Sequence, residues 1–159
     1  MSRVDDSLRR LIDDMFHTMY NNETKGIGLA APQVGVSLRI IVVDMQDDEH
    51  EPLALINPEI VKASDELVVG AEGCLSVPGL RGDVERHVWV SVKGRDEDGH
   101  DTRVKAEGWF ARCLQHEIDH LDGILYTDRA SNMRYADDED ICRERAEQEV
   151  SGQKVPVSI

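Results

Sequence analysis

A chain of 159 residues, 40% apolar and 31% charged, has the size and balance of one soluble globular domain. Its 32 acidic and 18 basic residues give a net charge of −14, which excludes nucleic acid and anionic membrane surfaces as partners held by a general basic field. No apolar run is long enough to span a bilayer, the charged opening MSRVDDSLRR lacks a secretory apolar segment, and three widely spaced cysteines outline no disulfide framework, so a reducing cytoplasm is expected.

Leu8, Leu11, Ile12, Met15, Phe16 and Met19 recur at helical spacing and predict an amphipathic helix over residues 5–20. The glycine-rich stretch GIGLAAPQVG, residues 26–35, reads as a loop or strand-like turn. The β-branched run LRIIVVD, 38–44, predicts a buried strand, and LALINP, 53–58, a second one stopped by the Asn57-Pro58 pair. EIVKAS and ELVVGAEG read as two strands joined by a turn at Ser64-Asp65. HVWVSVKGRDEDGHDTRVKAEG predicts a hairpin turning near Asp98-Gly99. A helix over 109–122 follows, with Gly123 at its C-terminal cap. Residues 137–151 have helical composition with a weak apolar stripe, which predicts an exposed helix. This order describes an α+β fold with mostly antiparallel pairing. One domain is expected over 1–159, its core at about 5–135 and an exposed helix and tail at 136–159.

The second helix carries the chemistry. In LQHEIDHLDG, residues 114–123, His116 and His120 lie four apart and share a helix face, with Glu117 beside them. Phe110, Leu114, Ile118 and Leu121 form a core stripe, and Trp109, Cys113, His116, Glu117 and His120 a second stripe suited to a pocket wall. Two surface histidines on an amphipathic helix are the alternative to a metal site. A catalytic zinc-type site needs a third protein ligand. No histidine follows His120, so that ligand is sought upstream. Cys74, in AEGCLSVPGL, sits at a strand end among small and turn-forming residues. It reads either as a buried filler or as a thiolate completing a tetrahedral set with two imidazoles. The glycines at 26, 28 and 35 lack the helix and third glycine of a dinucleotide fingerprint.

Taken together and in order, GIGLAAPQVG, EGCLSVPG and QHEIDHLDG resemble the three signature motifs of the peptide deformylases. The resemblance runs on through RGDVERHVWVSV, AEGWFARCLQHE and GILYTDR and covers about residues 8–129. It implies a deformylase-like fold around a central metal-binding helix, and an enzyme that removes the N-formyl group from the initiator methionine of nascent polypeptides. By the same resemblance Cys74, His116 and His120 hold one divalent ion, naturally Fe2+, with Zn2+ or other divalent ions able to bind. Glu117 is implied as general base and then acid, and the Gln33 side-chain amide and the Leu75 backbone N–H as donors to the developing oxyanion. Ile27, Gly28 and Gly73 are expected to line an extended substrate by β-augmentation, with Trp109 and Cys113 in the methionine pocket. Arg86 is expected to pair with Glu72, Asp119 or both and so orient the motifs.

Two departures accompany the resemblance. Family members usually carry a Gly-Asp-Pro-like turn and a short strand ahead of the first helix, and this sequence starts almost at that helix. Some relatives dock on the ribosome through a basic C-terminal helix, whereas DDEDICRERAEQEV is acidic, so only transient ribosome proximity is expected of this monomer. A peptidase acting on unformylated peptides and a binder of N-terminal peptides without turnover are the competing readings. Peptide cleavage without formate release marks the first, and binding without turnover the second.

Overall fold

The computed structural model describes residues 4–21, 27–74 and 77–135. The expected C-terminal helix and tail at 136–159 lie outside the described residues, as does Leu75. The first helix, α1, spans Asp6–Tyr20, and Asp5 caps it by accepting a hydrogen bond from the Leu8 amide at 2.9 Å. A short strand, β1 (Gly28–Ala30), leads into a 3-10 turn over Ala31–Val34 and then β2 (Ile40–Val43). The long β3 (Leu53–Ala63) is followed by β4 (Leu67–Cys74), β5 (Val77–His87), β6 (Trp89–Arg95) and β7 (Asp101–Glu107). Helix α2 (Gly108–Leu121) and β8 (Ser131–Tyr135) complete the described fold.

Eight strands form two antiparallel sheets among the described residues, one ordered β1-β2-β3-β6-β7 and one ordered β4-β5-β8. The run Ile40–Val43 shows how the larger sheet is seated. Ile40 and Val42 face the core beneath α1, with Ile12, Met15 and Met19, while Ile41 and Val43 face the core beneath α2. Alternate side chains point to opposite faces, so a strand covered on both sides must be apolar throughout. Helix α2 is therefore central, packed on the larger sheet by Leu114 and Ile118 and tied by polar groups to the smaller one. Leu114→Ala removes a wholly buried side chain at that junction. It is expected to cost about 2–5 kcal/mol, read from the urea midpoint.

One sequence expectation needs correction. Asn57-Pro58 does not stop a strand: LALINP and EIVKA form one strand, β3, with a register shift against β6 between Ile56 and Glu59. Asn57 takes φ +52° there, and the irregularity accommodates a proline that cannot donate to the ladder. The break at Ser64-Asp65 falls between β3 and β4 as expected, and it carries the chain from the larger sheet to the smaller one. Ser64 builds that corner, its hydroxyl donating to Glu66 O at 2.7 Å and accepting from the Val88 amide at 2.8 Å. The hairpin turn falls as expected, with Gly99 at φ +85°. The α2 cap also does, with Gly123 at φ +75°.

Candidate metal centre

Strand periodicity puts Glu72 and Cys74 on one face of β4, toward α2, and Cys74 pairs with Val77 where the hairpin turns. Helical periodicity puts Arg112, His116 and His120 on the face of α2 that meets them. The ligand atoms of Cys74, His116 and His120 lie within 4.8 Å of one another, and all three residues are buried. Cys74 Sγ is 3.4 Å from His120 Nε2, and the two imidazoles meet edge to face at 4.9 Å. A thiolate and two imidazoles suit a divalent ion and leave one position open. Among the described residues, His116 Nε2 and both Glu117 carboxylate oxygens are buried without a hydrogen-bond partner. Such groups are expensive to bury unless something else is to be bound there.

Glu72 decides how His116 presents itself. Burial pushes its carboxyl up, but hydrogen bonds from His116 and Arg86 and the Arg86 charge outweigh this and hold it at about 2. An ionised carboxylate can only accept, so the proton between Glu72 Oε1 and His116 Nδ1, 2.7 Å apart, sits on the imidazole. With Nδ1 engaged by Glu72, Nε2 is the ring nitrogen left to act as a ligand. Burial, followed by the neighbouring His116, lowers His120 to about 4, which keeps its ring neutral near neutral pH. Glu117 goes the other way: burial, then the Glu72 charge, raises it well above the usual carboxylate range against the pull of Arg86.

The 3-10 turn brings Gln33 to the thiol. Its Oε1 accepts from the Ala30 amide at 2.8 Å, which turns Nε2 toward Cys74 Sγ at 3.3 Å. Ile27 and Gly28 lie buried beside α2, where a Cβ on Gly28 would come within 2.8 Å of Glu117 Oε1 and 2.9 Å of Cys113 Sγ. On β4, a Cβ on Gly73 would run into the Arg81 guanidinium. Both β1 and β4 are edge strands.

Trp109 and Cys113, grouped by sequence on one wall, differ in their surroundings. Cys113 is sealed beneath Ile27, its thiol 3.9 Å from Ile27 O, and does not converge with the other ligands. Burial raises its thiol well above the ordinary range, helped by the charges of Glu117 and Glu72. Trp109 lies over the Arg112 guanidinium at 5.2 Å and lines a cavity of about 360 Å³ with Met45, His50, Val68 and Gly70.

Arg86 contacts both expected acids. It grips Glu72 at 2.9 and 3.0 Å and Asp119 at 2.6 Å, while Arg129 holds Asp119 at 2.8 Å. Sequence reasoning passed over Arg112, which donates to Glu72 Oε2 at 2.6 Å, Val68 O at 2.7 Å and Val84 O at 2.9 Å. The available signal was its place four residues before His116, since an arginine on a buried stripe requires partners. Tyr126 was also missed; it stacks on His116 at 5.9 Å and donates to Leu80 O at 2.8 Å.

A buried thiol, two imidazoles one turn apart and an adjacent carboxylate on an α+β frame define a metal-dependent hydrolase of the H-E-x-x-H type. The polypeptide deformylase family profile matches residues 1–136. The chain belongs to the polypeptide deformylase family. A peptide deformylase from Symbiobacterium thermophilum is 52% identical over 147 residues, 92% of this chain and 66% of the relative. One from Natranaerobius thermophilus is 53% identical over 133 residues, 84% of this chain and 83% of the relative. Among solved structures, the Synechococcus elongatus peptide deformylase in complex with actinonin superposes with a TM-score of 0.78 at 43% identity, covering 100% of this chain and 82% of that one. The Thermotoga maritima enzyme does so at 0.76 and 42%, covering 82% and 86%. Among the described residues, no helix is long and apolar enough to cross a membrane.

Proposed function

We propose that the chain removes the N-formyl group from the initiator methionine of nascent polypeptides, releasing formate, as a cytoplasmic monomer passing transiently near the ribosome. Family membership supports this reading. The observation that carries it is the convergence of Cys74, His116 and His120 within 4.8 Å, beside the unpartnered Glu117 carboxylate. These three residues would hold one divalent ion, ferrous iron in the natural enzyme, with zinc able to take its place. When bound, such an ion polarises the formyl group and makes hydroxide available near neutral pH.

Glu117 takes the proton of the attacking water and returns it to the amine nitrogen as the C–N bond breaks, leaving formate and a free N-terminus. Negative charge gathers on the formyl oxygen during attack, and the Gln33 amide, already turned by Ala30, donates to it. The Leu75 N–H is the second donor. Ile27, Gly28 and Gly73 pair with the extended substrate along the two edge strands. All of these groups fall within the expected core of about residues 5–135, which acts as one catalytic unit.

Anaerobically iron-loaded protein given a formyl-Met peptide should release formate and free amine in equal amounts. Cleavage of unformylated peptide without formate would make the chain a peptidase, and binding without turnover by metal-loaded protein a peptide binder. Trp109 belongs to this reading as a wall for the methionine side chain. Trp109→Leu is expected to shift the kcat/KM ratio between formyl-Met and formyl-norleucine peptides by about two- to fivefold. An unchanged ratio would remove Trp109 from the wall.

A further inference from the structure

We propose that Arg112 is a positioning residue for the metal centre: it locks the Glu72 carboxylate that orients His116, and fastens the strand bearing Cys74 to the helix bearing the histidines. This rests on the Cys74, His116 and His120 reading above.

A carboxylate offers about four acceptor sites, and on Glu72 all four are taken. Oε1 receives His116 Nδ1 at 2.7 Å and Arg86 Nη2 at 2.9 Å, and Oε2 receives Arg86 Nε at 3.0 Å and Arg112 Nη1 at 2.6 Å. The Glu72 side chain is 0% exposed, so bulk water cannot replace a lost donor. Without Arg112, half of what restrains Oε2 is gone, and the carboxylate can turn away from His116 Nδ1. The His116 ring would turn with it, and its Nε2 would leave the point where the ligand atoms converge.

The same guanidinium reaches both strands of the hairpin, Val68 O on β4 at 2.7 Å and Val84 O on β5 at 2.9 Å. Arg112 is rooted in α2 and reaches into the hairpin. Arg86 is rooted in the hairpin and reaches α2 at Asp119. Two planar forks pointing in opposite directions resist both sliding and rotation of α2 against β4, where single point charges would not. The site is shaped for the fork. A Cβ at Gly70 would lie 2.9 Å from Arg112 Cζ and 3.0 Å from its Nη2, so this path is open only to a chain without a side chain at position 70. Trp109 covers the guanidinium at 5.2 Å.

The test uses cobalt-substituted full-length protein, in which the thiolate-to-cobalt absorption band reports the Cys74 bond. Cobalt affinity is measured by competition with a chelator, and denaturation of the metal-free protein alongside. Arg112→Met is expected to weaken cobalt binding by about ten- to a hundredfold and to diminish the band. In the iron form it should lower kcat while KM for a formyl-Met peptide stays within about twofold. Arg112→Lys keeps the charge without the fork and should fall between wild type and Arg112→Met. Gly70→Ala keeps the arginine but displaces it, and should also weaken cobalt binding. Wild-type affinity and an unchanged band in all three variants, with only the denaturation midpoint moved, would overturn the proposal and leave Arg112 a fold staple. If Arg112→Met does not fold, Arg112→Lys and Gly70→Ala decide by the same readings. Wild-type protein that takes up cobalt without the thiolate band would instead overturn the metal-site reading on which the inference stands.

Discussion

Glu117→Gln should lower formate release by about a hundred- to ten-thousandfold while the metal content of the purified protein stays at the wild-type level. The substitution preserves size at a wholly buried position, so packing against Gly28 and Cys113 is retained and only the ability to take a proton is lost. Single-turnover formate assays paired with elemental analysis separate the two quantities. A loss of metal in proportion to the loss of rate would place Glu117 among the ligands. Equal rates in the two proteins would end its role as base.

Arg86→Met should lower the unfolding free energy by about 3–5 kcal/mol. It strips two of the four hydrogen bonds from a carboxylate that has no access to solvent, and leaves Asp119 to Arg129 alone. Titration adds a second check. Glu72 is held near 2 in the fold against its ordinary 4.5, so its contribution is fully present above the ordinary value and is lost as pH falls toward 2. The gap between wild-type and Arg86→Met denaturation midpoints should therefore narrow in acid. A gap of constant width between pH 6 and pH 3 would mean that Arg86 acts through packing alone.

Local chemistry made part of this molecule legible in the sequence. The α1 stripe, the β6–β7 hairpin and α2 with its glycine cap each follow from residues close in the chain, whose spacing expresses the period of the element directly. His116, Glu117 and His120 were equally visible, because four residues of helix bring them together without help from the rest of the fold. What failed depended on distant partners. Asn57-Pro58 looked like a stop because the irregularity that accepts a proline within β3 is set by the pairing with β6. β5 and β8 were not delineated, although β5 carries Arg86, since DVERH has charges where a strand facing solvent would have them and Arg86 turns inward only to meet Glu72. Arg112 was hidden for a related reason: an arginine on a helix usually means water, and only β4 and β5 folding over it supply the carboxylate and two carbonyls that it needs.

The four residues of β2 leave that strand without a tolerant side. Its neighbour β3 has exposed positions at Asn57, Glu59 and Lys62, but Ile40 to Val43 divide two cores as a party wall divides two houses. A methyl group removed from one side loosens α1, and from the other side α2. Either disturbance also reaches β1 through the ladder joining Gly28 to Val43 and Ala30 to Ile41. Helix α1 contributes no group to the metal centre, yet its packing bears on the strand that places Gly28 against Glu117. The remote helix is thereby part of what keeps the Glu117 carboxylate in place.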